Sequence, residues 1–440
     1  RKRYENWVAG INQDWCISRQ RFFGVPFPVW YPILPSGDID YTQPIFAAPE
    51  QCPVDPLAQP APGYEESMRN KPGGFCGDPD VMDTWATSSL TPQLTTHWSK
   101  DPSRHRSLFP MDIRPQSHEI IRTWAFYTIV KAWYHEKTIP WHHVVISGWI
   151  LDPDRKKMSK SKGNVVTPES LFDTYSADAI RYWASKARLG VDTAFDESVL
   201  AIGKKLSTKL FNASKFVMMQ LGDKGFLGIE HIQEPIDIDF MERLRDVAVT
   251  TSAHFGSFDY AAAVDCVESF FWVFCDHYLE LVKGRAYRET NPLKKNSALA
   301  CLDVSMSVFL RLFAPFMPFI TEEIWSWRHK DVFGGHSIHI SRWPSPSEFD
   351  ALSTQTSTLE ILPTLIDTLS KIRGYKTDHQ KSLNFPVQSL HVTCSQEQED
   401  ALALGLEDLI RAGHIDEIAF KRLASQEEDL RVELVLGSDT

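Results

Sequence analysis

The chain has 440 residues, of which 43% are apolar, and 46 Lys and Arg against 57 Asp and Glu give a formal net charge of −11. That length provides for two to four domains with full cores, and the acidic balance excludes a generic basic nucleic-acid coat while leaving room for local basic patches. Seven cysteines, an odd count without a Cys-x-x-Cys pair, argue against a disulfide framework or a structural zinc site, and no apolar run is expected to reach membrane-spanning length.

Residues 1–11 read as a short amphipathic helix already under way at Arg1, so the chain is expected to be a piece of a longer one. Asp14-Trp15-Cys16-Ile17-Ser18-Arg19-Gln20 follows. Gly24, Pro26 and Pro28 break regularity before the strand-like Val29-Trp30-Tyr31. Arg19 and Arg21 flank aromatics, which leaves open an anion or nucleic-acid edge or simply arginines facing water. Residues 32–79 read as a long irregular insertion that borders a site or wraps the surface.

Residues 80–98 suggest a loop opening a helix, with Trp85 either walling a small pocket or packing in a core. Ser117-His118-Glu119 leads into a helix on which Ile120, Trp124 and Tyr127 have helical spacing. A carboxylate at that amino end can hold sugar hydroxyls or an ammonium group, or merely complement the helix dipole. Residues 142–151 read as a buried strand interrupted at Ser147-Gly148.

The turn Asp152-Pro153-Asp154 then delivers the chain to Lys157-Met158-Ser159-Lys160-Ser161. Two ammonium groups three residues apart, beside small hydroxyl residues and followed by Gly163, can be placed against a polyphosphate. A solvated lysine-rich turn is the alternative. Thr167-Pro168-Glu169 starts the next helix, so the loop lies beyond the carboxyl end of a strand, where open α/β sheets bind ligands.

From about residue 198 the pattern turns to long amphipathic helices. Their apolar stripes are Leu206, Leu210, Ala213, Val217 and Leu221; Ala263, Val267, Phe270, Phe274, Tyr278 and Leu281; and Leu299, Leu302, Met306, Phe309 and Phe313. Lys205, Lys209, Asn212 and Lys215 fall on the polar side of the first helix, free to meet phosphates or to solvate that face. Beyond residue 346 the expected order is a helix at 359–372, a strand at 387–393, a helix at 397–412, and strands at 415–420 and 430–436.

In this order, DWCISRQ at 14–20, DVMDTWATSSL at 80–90, SHEIIRTW at 117–124, KMSKSKGNVVTP at 157–168 and YSADAIRYWAS at 175–185 resemble class I aminoacyl-tRNA synthetases, and within them the valyl branch. FFWVFCDHYLELVKGRAY at 270–287 and APFMPFITEEIW at 314–325 carry the resemblance through the bundle. The valyl details are DTWATSS and the Lys and VVTP that continue the lysine loop.

The resemblance implies an α/β fold: the second part of a Rossmann-type catalytic domain at 1–196, with the irregular insertion at 32–79 and the lysine loop at 157–161. A helical anticodon-binding bundle at 197–345 and a small α+β appendage at 346–440 would follow. The implied reaction is ATP-dependent activation of valine and transfer to tRNA(Val), with ATP as its Mg2+ complex, no tightly bound cofactor, no membrane, a monomer, and a cytoplasmic location. Lys157 and Lys160 would be catalytic. Met158, Ser159, Lys160 and Ser161, with Gly148, Trp149, Ile150, Ser117 and Glu119, would bind ATP. Trp85, Ile120 and Trp124 would wall the amino acid, and Arg19, Lys205, Lys209, Asn212 and Lys215 would meet tRNA.

The family's His-x-Gly-His motif and its editing insertion are not found in these 440 residues, which implies an incomplete ATP site in this chain alone. Ser117-His118-Glu119 stands where the family has Gly-x-Asp at the ribose. Ser176 stands where it has glycine before Ala177-Asp178-Ala179. An isoleucine-specific ligase and a catalytically inactive tRNA-binding fragment remain the alternatives.

Overall fold

A computed structural model describes residues 2–330, 332, 336–352, 359–423 and 429–437, which form two compact units, 1–149 and 150–440. The expected catalytic segment 1–196 therefore contributes to both units.

In the first unit the helix Lys2–Gly10 precedes the two-residue strand Ser18–Arg19, which pairs antiparallel with Val81–Met82. The expected irregular insertion is instead built around a small sheet. Val29–Pro32 pairs antiparallel with Ile45–Phe46 on one side and Phe75–Gly77 on the other. Trp30, Ala61 and Phe75 form a buried core of their own. Polar staples replace a long ladder: the Trp30 indole N–H donates to the Pro56 and Gln59 carbonyls at 3.1 and 2.9 Å, and the Arg69 guanidinium to the same two at 2.8 and 2.7 Å. Strands of two to four residues are too short to show a period, which is why the sequence pattern suggested only irregularity.

The strands Met111–Ser117 and Trp141–Ser147 run parallel, with Met111 opposite Trp141 and Ser117 opposite Ser147. Between them lie a 3-10 turn His118–Ile120, a π-helical turn Ile121–Ala125 and the helix Phe126–Glu136. Residues 142–151 were expected to form a buried strand. Only Trp141 and Val145, on one face, are buried, whereas His142 and Val144 on the other face are exposed.

The second unit begins with Ile150–Leu151, parallel to Thr193–Ala194, and the lysine loop that follows. Six long helical segments then build the bundle: Glu197–Leu221, Pro235–Gly256, Tyr260–Val273 continuing through a π-helical turn into Leu279–Arg288, Pro292–Phe313 and Pro318–Arg328. The expected stripes face the core, with Phe270 half-buried against it. Pro292–Phe313 corrects the expectation about apolar runs. By length and composition this helix would pass for a membrane span, but 89% of its apolar window is buried. Helices surround it, so apolar residues recur all round its axis.

Asp178 ties the helix Ala177–Ser185 to the bundle: its carboxylate accepts from the Phe319 and Ile320 amides at 3.1 and 2.8 Å, at the start of Pro318–Arg328. In the last segment, Val387–Cys394 is central, parallel to Ile415–Arg422 and antiparallel to Arg431–Leu436. The expected helix at 397–412 is two, Gln396–Ala403 and Leu406–Gly413. The break falls at Gly405, where a Cβ would lie 2.3 Å from a Leu365 methyl. A larger residue there would have to displace the buried Leu365 side chain.

Candidate functional site

In the first unit a cleft of about 910 Å³ is lined by Arg3, Asn6 and Trp7 from the first helix and by His118, Glu119, Arg122 and Trp149. The His118 ring lies 4.8 Å from that of Trp149, and its Nδ1 is 3.3 Å from the Ser147 carbonyl. The Arg122 guanidinium sits 5.3 Å over Trp7. Rings, one carboxylate and two guanidinium groups converge here. Such a cleft can stack a flat ring and accept hydrogen bonds from hydroxyls. Of the expected ATP residues, Glu119 and Trp149 meet in it. Ser117 lies alongside, its Oγ buried with no hydrogen-bond partner among the described residues.

Trp85, Ile120 and Trp124 are all half-buried. Trp85 stands on the short helix Thr84–Ser88, Ile120 ends the 3-10 turn, and Trp124 sits within the π-helical turn. The Trp124 indole N–H donates to the Ser88 carbonyl at 3.0 Å, joining its turn to the helix that carries Trp85. Lys131 donates to the Ala86 carbonyl of the same helix.

Two residues here were missed by sequence reasoning. The Arg114 guanidinium lies 3.2 Å from the Trp124 ring centroid and 4.8 Å from that of Trp141. It is buried, and its Nε and one Nη have no hydrogen-bond partner among the described residues. Burial pushes its pKa down to about 10. Asp83 is buried just ahead of Trp85, its carboxylate 3.6 Å from Arg19. Burial raises the pKa of Tyr127, and the nearby Asp83 adds to the effect. Arg19 itself is turned inward, donating to the Cys16 and Ser18 carbonyls at 2.9 and 2.7 Å. A second cleft of about 690 Å³ opens between Trp15, Tyr31, Tyr41, Phe46, Asp78 and Asp80.

In the second unit the lysine loop is closed at its base. Leu151 bridges Lys157 antiparallel. The Asp152 carboxylate accepts from the Lys156 amide at 2.7 Å and from the Asn164 side-chain amide at 2.7 Å. These donors hold the Asp152 pKa below the ordinary carboxylate value, the Asn164 contact being the larger cause. Asn164 Oδ1 in turn accepts from the Ser159 amide at 3.0 Å, and its Nδ2 donates to the Lys157 carbonyl at 3.3 Å. The Ser159 and Ser161 hydroxyls lie 3.3 Å apart. Met158 is half-buried. Lys160 opens the 3-10 turn Lys160–Lys162, while its side chain lies outside what the structure describes. Ile150 is exposed on the short strand before the loop, and Gly148 precedes it in the first unit.

On the helix Glu197–Leu221, Lys205, Asn212 and Lys215 are exposed. Lys209 pairs with Asp276 at 2.8 Å, and Lys205 and Lys209 stand 5.6 and 5.5 Å from the Trp272 ring. Among the described residues no group of three His, Cys, Asp or Glu side chains could hold a metal ion.

Residues 1–196 match the family of class I tRNA synthetases (I, L, M and V), and residues 237–390 match the anticodon-binding domain of tRNA ligases. The match to synthetase families thus runs through two successive segments of the chain. Relatives of the chain include the valine–tRNA ligase of Thermobifida fusca (strain YX), 46% identical over 99% of the chain and 48% of the relative. That of Salinispora tropica is 44% identical over 99% of the chain and 52% of the relative. The chain thus spans about half the length of the curated relatives it matches.

The fold is shared with solved synthetases. The Agrobacterium radiobacter K84 LeuRS, in its ternary complex with tRNA and LeuAMS, is 22% identical with a TM-score of 0.62, covering 78% of this chain and 43% of that one. Mycobacterium tuberculosis methionyl-tRNA synthetase in complex with methionyl-adenylate is 17% identical with a TM-score of 0.54, covering 81% and 60%.

Proposed function

We propose that this chain works as part of a valine–tRNA ligase. The observation that carries the reading is the 46% identity to a valine–tRNA ligase along 99% of the chain, together with a lysine loop built on its own hydrogen-bonded stem. In this reading residues 1–196 belong to the catalytic domain, 197–345 to the anticodon-binding bundle, and 346–440 to an appendage on it. ATP enters as its Mg2+ complex, a substrate and not a resident cofactor. The valine carboxylate attacks the α-phosphorus in line and pyrophosphate leaves. A hydroxyl of the terminal adenosine of tRNA(Val) then attacks the acyl carbon and AMP leaves. No covalent enzyme intermediate is needed, since positioning and electrostatics carry the chemistry.

Lys157 and Lys160 neutralise the negative charge that gathers on the departing pyrophosphate. Ser159 and Ser161 shape the loop. The cleft at Glu119, His118 and Trp149 takes the nucleoside, with Glu119 accepting from ribose hydroxyls and Ser117, Gly148 and Ile150 as further ATP residues. Trp85, Ile120 and Trp124 wall the valine side chain. A pocket of that size rejects isoleucine sterically but excludes the isosteric threonine by only about 10²-fold. Exposed Lys205, Asn212 and Lys215 offer phosphate contacts to tRNA, and the enzyme acts as a cytoplasmic monomer.

The test is amino-acid-dependent ATP–pyrophosphate exchange by the full-length protein that contains this chain. Valine should support exchange and isoleucine should not. Lys160→Ala should slow exchange by about 10²-fold or more while leaving tRNA affinity in place. Exchange driven by isoleucine, or an unchanged rate in Lys160→Ala, would overturn the reading.

A further inference from the structure

We propose that Asp152 and Asn164 act as a latch that presets the lysine loop for catalysis, and that both are positioning residues for the activation step. The inference rests on the reading of the loop as the ATP-side element.

The two residues stand twelve apart, one on each side of the signature lysines. Their side chains meet through Asn164 Nδ2 and Asp152 Oδ2 at 2.7 Å, which closes the loop at its base. What each does with its remaining atoms gives the contact its reach. Asp152 Oδ1 takes the Lys156 amide at 2.7 Å, one residue before Lys157. Asn164 Oδ1 takes the Ser159 amide at 3.0 Å, one residue before Lys160. Asn164 Nδ2 also donates to the Lys157 carbonyl at 3.3 Å. The backbone on both sides of Met158 is therefore held by two side chains whose polar atoms are engaged with the loop itself.

An aspartate and an asparagine suit these roles. The position at 152 receives two donors and needs two acceptor oxygens. The position at 164 must donate and accept at once, which an amide does and a carboxylate does not. Asp152 is 7% exposed, so its bonds are shielded from water. A loop of this composition would otherwise sample many conformers, and fixing it in advance lowers the entropic cost of placing two ammonium groups.

The experiment has two arms. In the 440-residue chain, hydrogen–deuterium exchange follows the Lys156 and Ser159 amides in Asn164→Ala and Asp152→Ala, with Ser170→Ala as a control outside the latch. In the full-length protein, ATP–pyrophosphate exchange with valine is measured for the same variants. Both latch variants should lose protection at the two amides. Each should lower the exchange rate about 10- to 100-fold at saturating substrates, with the KM for valine unchanged. The double variant should be no slower than the worse single one, because the two residues form one device. The exchanged pair Asp152→Asn with Asn164→Asp should recover part of the rate, since the swapped amide donates across the same contact.

Unchanged amide protection would overturn the latch. Lost protection with an undiminished exchange rate would overturn its positioning role and leave the ligase reading intact. Amide protection that collapses in both variants, in a wild-type protein that exchanges with isoleucine but not valine, would refute the valine reading and not the latch.

Discussion

The substitution Arg285→Met removes a guanidinium that is 2% exposed and joins the bundle to the appendage. Its Nε donates to both Asp408 oxygens at 2.9 and 2.8 Å, and its two Nη groups donate to Asp237 at 2.8 and 2.7 Å. Methionine fills a similar volume but leaves two buried carboxylates without their cation. Breaking a buried pair from one side costs about 3–5 kcal/mol.

The two carboxylates should not share that loss equally. Asp237 still accepts from Tyr278 and Ser297, both at 2.7 Å. Asp408 has no comparable second donor among the described contacts, and burial already pushes its pKa up to about 6 with Arg285 in place. Without the guanidinium it should be protonated at pH 7. The weakness should therefore concentrate in the helix Leu406–Gly413 that carries Asp408. Urea unfolding of the 440-residue chain should register a loss of about 3–5 kcal/mol, and hydrogen exchange should show that helix opening first. Adding Asp408→Asn to Arg285→Met should return at least about 1 kcal/mol, by removing the cost of protonating a buried carboxylate whose partner is gone. A loss below about 1 kcal/mol in Arg285→Met would refute the claim that the pair is a working buried bridge.

The same substitution at Arg114 should behave differently. Arg114 has aromatic faces but no carboxylate, so Arg114→Met should change stability by no more than about 1 kcal/mol, whereas Arg114→Ala should cost about 2–4 kcal/mol by leaving a void beneath Trp124; denaturation of both variants checks this, and equal losses would contradict it. Lys376 gives a pH dependence. It is fully buried, donates to the Leu383 and Gly413 carbonyls at 3.0 and 2.8 Å, and burial, helped by Arg373, lowers its pKa to about 8. Its folded value lies below the unfolded one, so the unfolded chain holds more protons between the two, and stability should rise with pH from about 8 to 10.5, by about 3 kcal/mol. Lys376→Met should lack that rise, and parallel pH profiles for the two proteins would refute it.

These contacts mark where reading the sequence succeeds and where it stops. Helix stripes are local properties: Leu206 and Leu210 are four apart, so a 3.6-residue period places them on one face before any partner is known. The strands at 387–394, 415–422 and 431–436 were visible for the same reason. Their order, with the first strand in the middle, is set by tertiary pairing and was not. Arg285 and Asp408 are 123 residues apart, and Asp178 caps a helix 141 residues on. No spacing rule reaches that far.

The site divides along the same line. Glu119 and Trp149 come from separate segments, and they line one cleft. Arg114 was not legible, because an arginine inside a strand reads as a solvated residue until the indole above it is placed. Asp152 and Asn164 lie between these cases. Both stand within the quoted run around the signature lysines, close enough for a local reading to have paired them. Charged groups in such a run point to phosphates by type alone, whereas the two that hold the backbone beneath them are marked only by their contacts. A loop that must present cations needs anchors whose polar atoms are taken up by the chain itself. An aspartate before such a run and an asparagine after it are therefore a pairing to look for wherever lysines are asked to hold still.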